Sequence, residues 1–186
     1  MHATSFFAAT LFAATALAHG NITSPPARQP GPAMAQVCGD AAVSAILADG
    51  TGPLENIQSN GSPDCNIFMC KGTQFADNQA NVQSLAPGDV VNFEAQLPIP
   101  HEGPCNVSII NTQTNTQIGQ PLLVFDSYAD ENLAVLPPNN TAFSVTMPTD
   151  LAGQCQQPGE CTMQWFWFGT NAQQTYEDCV DFVMTA

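Results

Sequence analysis

The chain has 186 residues, with 16 acidic side chains against two fixed cations, Arg28 and Lys71, a net charge of -14 and seven cysteines. So few cations exclude the clustered phosphate contacts of a nucleic-acid binder and attachment to an anionic membrane surface. At 44% hydrophobic and 10% charged residues the chain is too apolar for disorder, and its length suits one domain.

The first element is a leader. Phe6 to Leu17 is an apolar run of about a dozen residues, too short to span a bilayer as a helix, and it closes on the small-x-small pattern Ala16-Leu17-Ala18 read by signal peptidase. Removal of residues 1–18 leaves residues 19–186 as a single secreted, soluble domain beginning at His19. No later stretch is apolar and long enough for a membrane anchor.

Asp40 to Ala48 is rich in Ala and reads as a short helix capped by Asp40. Residues 49–63 are Gly/Pro/Asn-rich and without period, a long loop of the kind that often carries function. Beyond it the hydrophobic period is two. Val91, Phe93, Ala95 and Leu97 alternate with Val90, Asn92, Glu94 and Gln96, and similar runs cover 105–110, 142–147, 163–168 and 179–184. Weaker ones lie at 82–85 and 122–125. Turn signals such as Pro87-Gly88-Asp89 and Gly169-Thr170-Asn171 separate them. Seven short strands predict an all-β, antiparallel sandwich with long loops and one short helical segment.

An oxidising export route turns neighbouring thiols into disulfides, and an odd count leaves one cysteine unpaired. Cys155 and Cys161 flank a turn-rich insert and read as a local bridge, while the absence of any CxxC pair argues against zinc. Three sequons, at Asn21, Asn106 and Asn139, fit a secreted glycoprotein.

Histidine is the most informative count. Once His2 leaves with the leader, His19 and His101 remain. A terminal His19 offers a free α-amine and an imidazole nitrogen to one ion, and His101 supplies a third nitrogen. Such an all-nitrogen set suits the tetragonal preference of Cu(II), whereas zinc and iron sites usually recruit carboxylate or thiolate too. A secreted chain can also begin with His by chance, so the sequence around both histidines matters.

His19-Gly20-Asn21-Ile22-Thr23-Ser24-Pro25-Pro26-Ala27-Arg28 resembles the opening of the lytic polysaccharide monooxygenases. His101-Glu102-Gly103-Pro104 is similar to the H-x-G-P motif of fungal members, and Gln174-Thr175-Tyr176-Glu177-Asp178-Cys179 to their Q-x-Y-x-x-C. Segments such as Cys65-Asn66-Ile67-Phe68-Met69-Cys70-Lys71-Gly72 resemble auxiliary activity family sixteen most. The resemblance implies an immunoglobulin/fibronectin-like sandwich with one mononuclear copper in a histidine brace. It also implies oxidative cleavage of cellulose-type β-1,4-glucan at C1, with O2 or H2O2 and an external electron donor.

By the same resemblance His19 and His101 hold copper, Tyr176 takes an axial position, and Gln174 donates a hydrogen bond to the oxygen species at the metal. It pairs Cys70 with Cys179, which leaves Cys38 with Cys65 and Cys105 as a buried thiol. Related enzymes place another histidine near the metal; here Gln164 or a Trp takes that space, and Trp165 and Trp167 read as core packing. The implied partners are a polysaccharide, cellulose before chitin, and an electron donor, with no nucleic acid, no membrane and a monomeric state. A copper-binding or copper-delivery protein of the same fold, without turnover, is the alternative.

Overall fold

A computed structural model describes residues 19–185, so the leader lies outside the described residues. Strands β1 (His19–Ser24), β3 (Val90–Ile99) and β6 (Ala142–Thr146) form one sheet in the order β1-β3-β6. Strands β2 (Gln83–Leu85), β4 (Gly103–Asn111), β5 (Thr116–Tyr128), β7 (Cys161–Gly169) and β8 (Gln174–Met184) form a second in the order β2-β8-β7-β4-β5. The two pack as a β-sandwich.

Alternation along β3 explains its place: Val91, Phe93 and Ala95 are buried while Val90, Asn92 and Glu94 face water. Phe93 stacks on Phe143 of β6, ring centroids 5.3 Å apart, and this pair meets the larger sheet's Val107, Ile109, Met163, Trp165 and Phe182. Burying these side chains contributes about 1.5–3 kcal/mol each.

Two expectations are corrected. The larger sheet is mixed, because β2 runs parallel to β8 with Gln83 opposite Phe182; the long connection between these strands supplies the crossover that a parallel pair requires. The helical part is two helices, α1 (Pro32–Cys38) and α2 (Asp40–Ala48). Gly39 is the residue before α2, so Asp40 sits in its first turn rather than capping it. Helix α1 starts on Pro32, and its exposed amides are met from a distance: Asp77 accepts from the N–H groups of Ala33 and Met34, both at 2.9 Å. Met34, Cys38, Ala42 and Ile46 form a small second core between the helices.

Strand β8 is buried on both faces. Tyr176, Asp178, Val180 and Phe182 share one face by the strand's period of two, and Thr175, Glu177, Cys179 and Asp181 share the other. The connection from β1 to β2 anchors to β8 through the Cys70–Cys179 disulfide, which spans 109 residues. In the chain-entropy account a loop of that length is worth about 4–5 kcal/mol. Disulfides Cys38–Cys65 and Cys155–Cys161 close shorter loops. Cys105 is a free, buried thiol on β4, and burial pushes its pKa far up, so it packs as a small hydrophobe.

Both fixed cations are spent inside the fold. Arg28 donates from Nε and Nη2 to Asp181 at 2.7 and 2.6 Å, and Lys71 lies 2.8 Å from Asp178. The surface is therefore anionic, with no exposed Lys or Arg to offset its carboxylates.

Candidate metal centre

The sandwich brings both histidines to one end. His19 pairs with Ile99 at the end of β3, and His101 follows two residues later, in the short link to β4. Glycines allow the approach. A Cβ on Gly20 would lie 2.9 Å from the Trp167 ring, and one on Gly103 would lie 1.9 Å from the Phe168 carbonyl oxygen. The glycines beside His19 and His101 are thus demanded by close packing.

Trp167 of β7 joins the parts. Its indole N–H donates to the His101 carbonyl at 3.1 Å, and its ring stacks on Tyr176 with centroids 4.4 Å apart. Together with Gly20 this places the neighbour of His19, the backbone of His101 and the ring of Tyr176 around one side chain. Trp165 and Trp167 are both fully buried core residues. Gln164, in contrast, lies on the other face of β7, opposite Ser108 and Cys179, and bonds to Glu177; the indole of Trp167 is what borders His101.

The His101 ring is buried, and neither of its nitrogens has a hydrogen-bond partner among the described residues. Nδ1 stands 3.6 Å from Glu131 Oε1, beyond a hydrogen bond. Buried polar atoms are nearly always paired, so an imidazole left with bare nitrogens fits a group that accepts a lone pair. Glu131 is itself fixed: Oε2 accepts the Glu102 N–H at 2.5 Å. Burial works against its charge, but the Glu102 amide, its own amide, Asn171 and His101 hold its carboxyl below the ordinary range.

His19 is half-buried, and its Nε2 lies 2.8 Å from Asp49 Oδ2. Asp49 Oδ1 accepts from the Thr51 hydroxyl at 2.6 Å and the Thr51 amide at 3.0 Å. Partial burial opposes the Asp49 charge, yet these bonds and His19 lower its pKa, so it remains a carboxylate. Asp49 thus engages Nε2, the ring nitrogen farther from the backbone nitrogen of the same residue. Neither Asp49 nor Glu131 carries a sequence signal. Each is a lone acid in an irregular segment, made relevant only by folding.

Tyr176 is fully buried, and its hydroxyl donates to Gln174 Oε1 at 2.8 Å. Burial, followed by the charges of Glu55 and Asp49, pushes its phenol far above the ordinary value, so it stays neutral. Glu55 accepts the Thr175 amide with both oxygens, at 3.1 and 3.0 Å, which holds the start of β8. Among the described residues, Cys70, Glu177 and Cys179 also form a group with metal-ligand spacing. Its two sulfurs form a disulfide, so it has no thiolate to offer.

The family described as lytic polysaccharide mono-oxygenase, cellulose-degrading, matches residues 19–182. The chain belongs to this family. Copper-dependent oxidation is the family's general chemistry, and the lone-pair donors gathered here fit that ion. No curated protein matches the chain in sequence. Among solved structures, a chitin-binding domain from Burkholderia pseudomallei is similar at 14% identity and TM-score 0.50, covering 90% of this chain and 100% of that one. The cellulose-active lytic polysaccharide monooxygenase CelS2 in complex with copper is similar at 13% identity and TM-score 0.48, covering 89% and 98%. The first of these likenesses concerns the fold alone.

The sequons differ in setting. Asn139 is exposed in a short 3-10 helix (Pro138–Asn140), whereas Asn21 and Asn106 are half-buried in β1 and β4. No helix among the described residues is long and apolar enough to cross a membrane.

Proposed function

We propose that the protein is a secreted, monomeric, copper-dependent monooxygenase that cleaves β-1,4-glucan oxidatively at C1. The observation that carries this is the buried His101 imidazole with two bare nitrogens, set beside the strand end that presents His19. Glu131 borders His101 Nδ1, which leaves Nε2 as the donor to copper. Asp49 engages His19 Nε2, so Nδ1 and, once residues 1–18 are removed, the α-amine would be the nitrogens of this residue that hold copper. Copper held there supplies one-electron redox chemistry with O2 or H2O2, driven by an external electron donor.

The remaining residues shape and insulate the site. Tyr176 closes one side as a neutral, buried ring rather than a charged ligand, and Trp167 holds it in place. Gln174 is oriented by the Tyr176 hydroxyl, which fixes where its amide hydrogens point. The H-x-G-P and Q-x-Y-x-x-C motifs support a likeness to the fungal members, and the Cys65 to Gly72 segment supports the finer placement in auxiliary activity family sixteen. No Tyr or Trp is exposed among the described residues and Phe68 is the exposed large aromatic, so a glucan meets mainly amides, carboxylates and aliphatic side chains. The anionic surface favours a neutral glycan over an acidic one.

Mass spectrometry of soluble products from cellulose and chitin, each with reductant, tests the reading. Aldonic-acid oligosaccharides from cellulose are expected. Tight copper binding without any oxidised product would instead assign a copper-binding or copper-delivery role.

A further inference from the structure

We propose that Lys71 is a positioning residue for the metal centre, acting through the Asp49 turn and β1 to set the orientation of His19. The inference rests on the copper reading above for its consequence, but on the hydrogen bonds for its geometry.

Lys71 is the sole lysine of the chain and is 5% exposed. Its ammonium makes two bonds. It donates to the Gly50 carbonyl at 2.8 Å and lies 2.8 Å from Asp178 Oδ1. The other Asp178 oxygen accepts the Ile22 N–H of β1 at 2.7 Å. On the far side, Gly50 follows Asp49, whose carboxylate meets His19 Nε2, and the Thr51 carbonyl accepts the Gly20 N–H at 2.9 Å. The bonds close a ring: His19, Asp49, Gly50, Lys71, Asp178 and back to Ile22, three residues along the strand that begins with His19.

Asp178 is also two residues beyond Tyr176 on the same face of β8, so the ammonium ties the strand of His19 to that of Tyr176. The backbone is forced to deliver this lysine. Cys70, Lys71 and Gly72 are three consecutive residues of positive φ, at 56°, 58° and 77°. For the two non-glycines the left-handed region is unfavourable by roughly 1–2 kcal/mol each. The segment is clamped on both sides, by the Cys70–Cys179 disulfide and by Gly72, whose Cβ would lie 2.9 Å from the Cys38 sulfur. A surface lysine needs none of this; a buried one aimed at a single carbonyl and a single carboxylate does.

Two variants separate positioning from stability. Lys71→Met leaves Asp178 as a buried uncompensated charge and is expected to fold poorly. Lys71→Met/Asp178→Asn removes both charges and keeps an acceptor for the Ile22 amide, but loses the bond to Gly50. In metal-free protein beginning at His19, the 15N shifts of the His19 ring should report Nε2–H tautomer in the wild type and a tautomer mixture in the double variant. Its Cu(II) affinity should fall about tenfold, as on loss of other groups that orient a metal ligand, with altered EPR hyperfine splitting. Unchanged ring shifts, affinity and EPR in a folded double variant would overturn the proposal. A wild type that binds no copper would sink the metal reading, while the tautomer comparison would still decide whether Lys71 orients His19.

Discussion

The carbonyl oxygen of His101 accepts a hydrogen bond from the buried indole of Trp167 at 3.1 Å, so the second histidine of the proposed metal site is held by its backbone while its ring nitrogens make no hydrogen bond among the described residues. Trp167→Phe keeps most of the packing against Tyr176 but removes that bond. A loss of about 1 kcal/mol in unfolding free energy is expected, with weaker copper binding measured by calorimetry. Trp167→Ala should cost about 3–5 kcal/mol, because the cavity opens between the sheets.

Asp49 is expected to matter to the metal and little to the fold, since its carboxylate is largely exposed. Asp49→Ala should weaken Cu(II) binding by about 10–100-fold. Asp126→Ala, an exposed acid on β5, should leave it unchanged. Equal affinities in the two variants would show that His19 needs no partner at Nε2.

Glu177 predicts the pH dependence of folding. It is fully buried, its Oε1 accepts the Cys70 amide, and burial above all raises its pKa to about 7 from 4.5, with Gln164, Cys70 and Lys71 opposing and Asp178 adding to the shift. The folded state therefore binds this proton more tightly than the unfolded chain. Stability from this group is full below the ordinary value and is lost as pH rises from about 4.5 to about 7, an effect on the order of 3 kcal/mol. Glu177→Gln, which resembles the protonated form, should flatten that part of the melting temperature profile between pH 5 and 8. An unchanged slope would mean that the carboxyl is ionised in the fold.

Arg28→Met should be severely destabilising, by roughly 3–5 kcal/mol, because it strands the Asp181 carboxylate in the interior. Urea denaturation would show it as a lower midpoint. A change under 1 kcal/mol would mean that water reaches Asp181.

The parts of the fold readable from sequence were those with a local cause. The β3 alternation from Val90 to Gln96 and the Ala-rich run of α2 each report their own environment, and the structure follows both. Strand β1 escaped because Gly20 and Ile22 are its only buried positions, too few for a period. Helix α1 escaped because its N-terminal partner, Asp77, is more than forty residues away. The beginning of β8 reads as polar because Glu177 and Asp178 are inside, neutralised or paired by groups from other segments. The same holds at the candidate centre. His19, His101, Gln174 and Tyr176 sit in motifs, whereas Asp49 and Glu131 reach the histidines through contacts that only the tertiary fold creates.

Three nitrogens, two from His19 and one from His101, are proposed to hold one copper ion. Cu(II) EPR on protein that begins at His19, prepared at natural abundance and with 15N, tests this ligand set most directly. Couplings from three bound nitrogens are predicted, reduced by His101→Ala and by one additional residue ahead of His19. A nitrogen pattern indifferent to both changes would contradict the account.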